Sequence, residues 1–384
     1  MKNKYLLALS AGHVFTDMNT GALAAMLPFL IAAGGLKYAQ AAGLTFAMAM
    51  ASTLSQPVFG LIADKVTKPW FLPLGVLLAG CGIATIGFVP DYYWLMFIAA
   101  MISGIGIAGF HPEGARIAGK LGGKKKGSSM SIFTLGGTIG IAFGPLLVTP
   151  ALLNMGLRGS FVLAIPAVST FIMIILLYPG MNSLAETTEK AEKEIKGEQT
   201  NEWGKFIWLS VAITCRSIIN HSMNTFLPLY WVNVLHQNRA TGGMLITYMT
   251  AIGAIVTIIG GQLADRFGMN KIIKAGWIFL LPSLFFLTRI TNPTMVLLML
   301  IPISTGGYLL NSPIIVLGQQ YLPKSMGFAA GITLGLGVSI GGMVTPFIGN
   351  YADIHGLVAA LRLLSFLPVL GMLVAFTSRP PKNV

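Results

Sequence analysis

Apolar runs of about 20 residues or more, parted by short polar gaps, recur along the whole chain. At about 1.5 Å per residue, each run is long enough to cross a ~30 Å hydrocarbon layer as a helix. The pattern predicts twelve spans, at 5–32, 39–64, 69–89, 92–118, 127–152, 157–179, 205–234, 241–265, 271–289, 294–320, 327–350 and 357–377. One long polar interruption remains, 180–204, "GMNSLAETTEKAEKEIKGEQTNEWG". Its mixed charge predicts a solvated linker carrying a short surface helix, with Glu189 four residues before Lys193. The expected division is a six-helix bundle at 1–179, a cytoplasmic linker at 180–204 and a second six-helix bundle at 205–384.

Composition agrees with the pattern. The chain of 384 residues is 54% hydrophobic and 10% charged, against about 25% charged in soluble domains. It reads as an all-α integral membrane protein whose main surroundings are the lipid bilayer. A net charge of +13 would suggest nucleic acid as a partner of a soluble protein. Here the basic residues sit in the gaps between spans, and they report topology instead. Eighteen basic residues, Lys2, Lys4, Lys65, Lys68, Lys120, Lys124, Lys125, Lys126, Lys190, Lys193, Lys196, Lys205, Arg266, Lys271, Lys274, Lys324, Arg379 and Lys382, fall on the side of the termini, against five, Lys37, Arg158, Arg239, Arg289 and Arg362, on the other. The positive-inside rule then puts both termini and the linker in the cytoplasm, and the protein in the cytoplasmic (inner) membrane as a multi-pass chain. The opening "MKNKYLLALSAG" imitates a signal peptide, but Asp17 interrupts its apolar run, so it reads as a retained first span. Cys81 and Cys215 lie in apolar segments and imply no disulfide framework.

The two halves repeat. "GLIADK" begins at Gly60 and "GQLADR" at Gly261, and Asp64 and Asp265 are 201 residues apart. Pro112 and Pro313, and Pro145 and Pro346, share that offset in matching spans. Two parallel six-helix halves suit a secondary transporter with its site near the midplane between repeats. The second copy, followed by Gly268 and Lys271, resembles the loop signature of the major facilitator superfamily; the first carries Thr67 where the second has Gly268. "QPVFGLIADKVTKPWFLPLG", "GFHPEGARIA" and "SIFTLGGTIGIAFGPLL" resemble the fosmidomycin resistance family within it. That resemblance implies the major facilitator fold and drug or metabolite efflux by proton antiport, with alternating access and a monomer as the working unit.

Ionisable groups within the spans, setting aside those at the extreme helix ends, are few: His13, Asp17, His111, Glu113, Arg116, Arg216 and His221. A charge at mid-bilayer costs about 2.5–3.5 kcal/mol on insertion scales, so such groups face protein or a wet cavity. Asp17 lies about 18 Å along span one, with His13 one turn earlier on the same face. The pair is a candidate proton site, or a buried hydrogen bond that holds span one. In "GFHPEGAR", Pro112 removes a backbone hydrogen bond and favours a bend, and His111 and Glu113 point about 200° apart. Glu113 and His111 are further proton-coupling candidates, while a Glu113–Arg116 ion pair at three-residue spacing is the structural alternative. Arg216 offers a planar fork for phosphate, phosphonate or carboxylate. With Asn220, His221, Asn224 and Asn19 it forms the candidate substrate set; a permanent Arg216–carboxylate bridge is the alternative.

Gly136, Gly140 and Gly144 make a double GxxxG in span five, suited to close packing or to a hinge, with Pro112 and Pro145 as neighbouring helix breakers. "GIAFGP" resembles part of the span-five signature of superfamily antiporters. Gly60, Asp64, Lys65, Gly261, Asp265 and Arg266 are assigned to charge contacts at cytoplasmic helix ends that stabilise an outward-open state. No HExxH or phosphate-loop spacing is present, and no G-x-S-x-G elbow is evident, since the run Gly337–Gly341 lies inside an apolar span; neither catalytic residues nor a metal or cofactor is expected. The expected function is a proton-coupled antiporter exporting a small anionic or amphiphilic molecule, a phosphonate such as fosmidomycin being one candidate. A metabolite-uptake symporter or a proton-independent exchanger is the alternative, and an intramembrane enzyme or sensor the reading from another class.

Overall fold

The computed structural model describes residues 2–34, 36, 38–65, 70–196, 200–237 and 239–381. Among them twelve helical elements follow one another: α1 (Lys2–Gly34), α2 (Tyr38–Lys65), α3 (Phe71–Ile86), α4 (Tyr93–Gly122), α5 (Lys126–Met155), α6 (Ala164–Lys196), α7 (Trp203–Asn233), α8 (Arg239–Phe267), α9 (Met269–Leu287), α10 (Pro293–Tyr321), α11 (Met326–His355) and α12 (Leu357–Thr377). α10 is jointed at Leu310 and α12 between Leu364 and Leu367; a 3₁₀ stretch, Gly156–Leu163, leads into α6. Among the described residues there is no strand. Among the described residues, eight stretches are long and apolar enough to cross a membrane, and large apolar side chains such as Leu146, Leu176 and Phe347 are more than two-thirds exposed, as a lipid-facing surface requires.

The predicted linker differs in one respect. α6 runs on as a single helix to Lys196, past the end of its apolar stretch. The segment is rich in Ala, Glu and Lys, which favour helix, and Asn182 Nδ2 donates to Glu186 Oε1 one turn on at 2.8 Å.

The chain forms two compact units. The first comprises Met1–Gly123, Ile132–Gln199 and Lys324–Leu336; the second comprises Lys124–Ser131, Thr200–Pro323 and Gly337–Val384. In the first unit, an apolar core of Met18, Met26, Leu30, Leu44, Ile83 and Met96 joins α1 to α4. Glycines set the closest approaches. A side chain at Gly75 would meet the backbone of Gly106 and Phe110, which is how α3 lies against α4. In the second unit Gly276, 201 residues after Gly75, meets Gly306 in the same way and joins α9 to α10. The repeat seen in the sequence is therefore a repeat of helix crossings.

Candidate functional site

In the first unit, α1 and α5 approach backbone to backbone. Side chains at Gly136, Gly140 and Gly144 would overlap the carbonyl oxygens of Ser10, Val14 and Met18. The glycines of the double GxxxG thus lie against α1. Gly137, on the same helix, would with any side chain come within 2.6 Å of both Asp17 Oδ2 and His13 Nε2. The bare glycine wall leaves room for a polar cluster between packed helices.

That cluster is His13, Asp17 and His111. His13 Nδ1 lies 2.7 Å from the carbonyl oxygen of Phe133, and its Nε2 lies 3.1 Å from Asp17 Oδ2. His111 Nε2 lies 2.8 Å from Asp17 Oδ1. His111 Nδ1 is buried and has no partner among the described residues. The Phe133, Phe110 and His111 rings pack around His13, the His13–His111 centroids being 4.9 Å apart. A carbonyl oxygen only accepts, so the contact with Phe133 suits an N–H on His13 Nδ1. Asp17 thus has an imidazole nitrogen beside each of its carboxylate oxygens. The three ligand atoms lie within 4.8 Å of one another, a donor set that could also hold a metal ion.

Glu113 belongs to a different group. Arg116 Nε and Nη2 donate to Glu113 Oε2 and Oε1, both at 2.7 Å, and Tyr178 Oη donates to Oε1 at 3.2 Å. Both charged side chains are at most 5% exposed. The fork-to-carboxylate pairing is the geometry in which buried charges are best compensated. Pro112 sits inside α4, which runs unbroken from Tyr93 to Gly122. Asn19 is fully buried; its Nδ2 donates to the Phe15 and Thr16 carbonyls, and its Oδ1 has no partner among the described residues. Pro145 borders the α1 contact, where its ring would stand 2.9 Å from a Cβ added at Gly21.

In the second unit, α7 meets α11 as α1 meets α5. Gly341, 201 residues after Gly140, abuts the Ser217 backbone, and its N–H donates to Ser217 Oγ at 3.0 Å. Beside this crossing Arg216 Nε donates to the Gly307 carbonyl at 3.2 Å. Among the described residues, Arg216 has no carboxylate partner within 4 Å. Asn220 also borders Gly307, His221 Nδ1 lies 3.2 Å from the Ser217 carbonyl, and Asn224 is exposed one turn further on. Tyr308 lies within electrostatic reach of Arg216.

The two aspartates of the repeated motif make the same contact. Asp64 accepts the Gly327 and Phe328 N–H groups at 2.7 and 2.9 Å, capping the start of α11. Asp265 accepts those of Gly127 and Ser128 at 2.7 and 2.8 Å, capping the start of α5, and also the Ser128 hydroxyl at 2.5 Å. A carboxylate at a helix N-terminus satisfies orphan donors and opposes the helix dipole. Gly60 and Gly261, one turn before each aspartate, abut the carbonyls of Gly327 and Gly127. Arg266 stacks on the neighbouring Phe267 ring, and the side chain of Lys65 falls outside the described residues.

Sequence reasoning missed His111 as a direct partner of Asp17, Tyr178 as a partner of Glu113, and Gly307 as the acceptor for Arg216. The polar residues themselves were visible, but which spans would touch was not.

A family model for the Major Facilitator Superfamily matches residues 9–346. An uncharacterized MFS-type transporter of Bacillus subtilis (strain 168), YfnC, is 29% identical over 375 residues, covering 96% of this chain and 91% of its own. The fosmidomycin resistance protein of Escherichia coli (strain K12) is 27% identical over 378 residues, with 96% and 91% covered. Among solved structures, the FucP transporter in the outward conformation superposes with a TM-score of 0.71 at 15% identity, covering 97% of this chain and 98% of its own. The proton:xylose symporter XylE gives 0.72 at 13% identity, with 98% and 97% covered. At such identities the structural likeness speaks to the fold.

Proposed function

The chain belongs to the Major Facilitator Superfamily, and on that premise we propose that it exports a small anionic or amphiphilic molecule in exchange for protons. It is a multi-pass membrane transporter, not an enzyme, with twelve spanning helices in two six-helix halves. The observation that carries the proton coupling is the His13–Asp17–His111 cluster, a buried carboxylate with an imidazole beside each oxygen. Water or a change of helix packing that breaks either link alters the proton affinity of the cluster, which is the elementary act of a coupled carrier. Glu113 is assigned to structure, because Arg116 and Tyr178 already occupy its oxygens.

Arg216 is the proposed substrate anchor. Among the described residues its fork has a single backbone acceptor, leaving donors for a phosphonate, phosphate or carboxylate, with Asn220 and His221 alongside. A relative named for fosmidomycin resistance supports export and makes phosphonates the first substrates to try. The proposed setting is the cytoplasmic membrane, with both termini and the linker inside and the monomer as the working unit. Asp64 and Asp265 with their glycines, and with Lys65 and Arg266 nearby, serve in this reading as the cytoplasmic gate.

The direct test is proton flux in inverted membrane vesicles followed with a pH-sensitive dye. After respiration acidifies the lumen, fosmidomycin and other phosphonates are added to wild type, Asp17→Asn, Glu113→Gln and Arg216→Ala. Substrate-triggered proton release that Asp17→Asn abolishes supports the assignment. Accumulation of labelled substrate without any proton release overturns coupling.

A further inference from the structure

A cavity of about 230 Å³ lies between the start of α7 and the end of α12, lined by Gly204, Lys205, Trp208, Thr377, Ser378 and Arg379. We propose that it holds the phosphate headgroup of an anionic phospholipid. Both helices end there, so the cavity sits where hydrocarbon gives way to headgroups. Trp203 and Trp208 are partly exposed at this level, as interfacial aromatic residues are.

The walls are tied together. Trp208 Nε1 donates to Thr377 Oγ1 at 2.8 Å, linking α7 to α12. Lys205 Nζ donates to the Pro380 carbonyl at 2.9 Å and pairs with Glu202 at 2.5 Å, and it stands 5.7 Å over the Tyr321 ring. Tyr321 Oη in turn donates to the Arg379 carbonyl at 2.8 Å. The backbone that carries Arg379 is thus anchored from two sides. Its guanidinium is exposed and has no hydrogen bond or ion pair among the described residues. Lys274, on α9, stands 4.9 Å over the ring of Phe376, next to Thr377.

Two cations, Lys205 and Arg379, line an opening with a tryptophan wall and a floor left open by Gly204, where an added side chain would meet nothing, and Glu202 pairs with Lys205. A soluble anion would use only the basic rim. A lipid uses both, with its phosphate on the Arg379 fork and its glycerol and first methylenes along Trp208. The net positive rim selects an anionic over a zwitterionic headgroup.

The test is native mass spectrometry of the full chain in detergent, titrated with dioleoyl phosphatidylglycerol or with phosphatidylcholine of the same chains. One saturable phosphatidylglycerol adduct is expected. Arg379→Gln should weaken it about fivefold, the worth of one interfacial charge. Arg379→Lys should recover most of the loss, and the exposed Lys125→Gln should change nothing. Equal binding of phosphatidylcholine overturns the proposal, as does an unchanged adduct in Arg379→Gln. Displacement by millimolar inorganic phosphate as effective as by the lipid identifies a soluble-anion site and also overturns it. Arg379 lies beyond the last helix, so its replacement leaves the bundle intact.

Discussion

Asp17 and His111 are 94 residues apart in the chain, and their side chains meet at 2.8 Å. The contact joins α1 to α4 inside the first unit and completes the one cluster among the described residues in which two imidazoles flank a carboxylate. His13 alone would make a simple buried pair with Asp17. The second imidazole gives the carboxylate a partner on each oxygen.

His111 should therefore matter to coupling apart from any role in the fold. A hydrogen bond to a charged group is worth about 1.5–3 kcal/mol, so His111→Leu should lower substrate-triggered proton release by roughly ten- to a hundredfold. His111→Gln, which keeps a donor near Asp17, should fall between that variant and wild type in the same dye assay. Equal release in all three would leave His111 without a part in coupling.

Glu113→Gln should act on stability first. It leaves the Arg116 charge buried without its carboxylate, a loss of about 3–5 kcal/mol for a pair of this kind. The readout is a lowered melting temperature in detergent. Replacing both residues by apolar side chains of similar volume should restore much of it, because the cost lies in the unpaired charge.

The two capping aspartates should be separable by position. Asp64→Ala should raise amide hydrogen exchange at Gly327 and Phe328, and Asp265→Ala at Gly127 and Ser128, each by the roughly 0.5–2 kcal/mol of a lost N-cap. Exchange at the other cap should not move. Gly60→Ala and Gly261→Ala place a methyl group on a backbone carbonyl and should be more damaging than Gly204→Ala, whose new methyl meets nothing.

Arg216→Lys keeps the charge and loses the fork. For an anionic substrate held by two parallel hydrogen bonds, the apparent KM should rise about tenfold, the worth of one charge-assisted bond. Arg216→Gln should raise it further while proton binding at the Asp17 cluster persists. A neutral substrate whose transport ignores both variants would remove Arg216 from the substrate site.

Much of the molecule was open to reading from residues alone. The spans appear because a bilayer imposes a length and a hydropathy on each segment separately. The halves appear because Asp64 and Asp265, like the prolines, keep one offset, and the structure shows matching helix crossings, Gly75–Gly106 and Gly276–Gly306, with Gly276 at that same offset from Gly75. The two faces of "GFHPEGAR" were also legible, since a 100° turn per residue sends His111 and Glu113 in different directions. The helical run-on of α6 to Lys196 was not, because polarity marks the end of a bilayer stretch and not the end of a helix.

What the chain's local pattern decided, then, is membrane residence, the span count, the repeat and the short list of buried ionisable groups, all properties of single segments. Only tertiary structure decided that His111 reaches Asp17, that Tyr178 closes the Glu113–Arg116 pair and that Gly307 receives Arg216. Those contacts depend on which helices lie side by side and how they are rotated. Packing between glycine-lined faces sets both, and hydropathy is the same for every arrangement of the same helices.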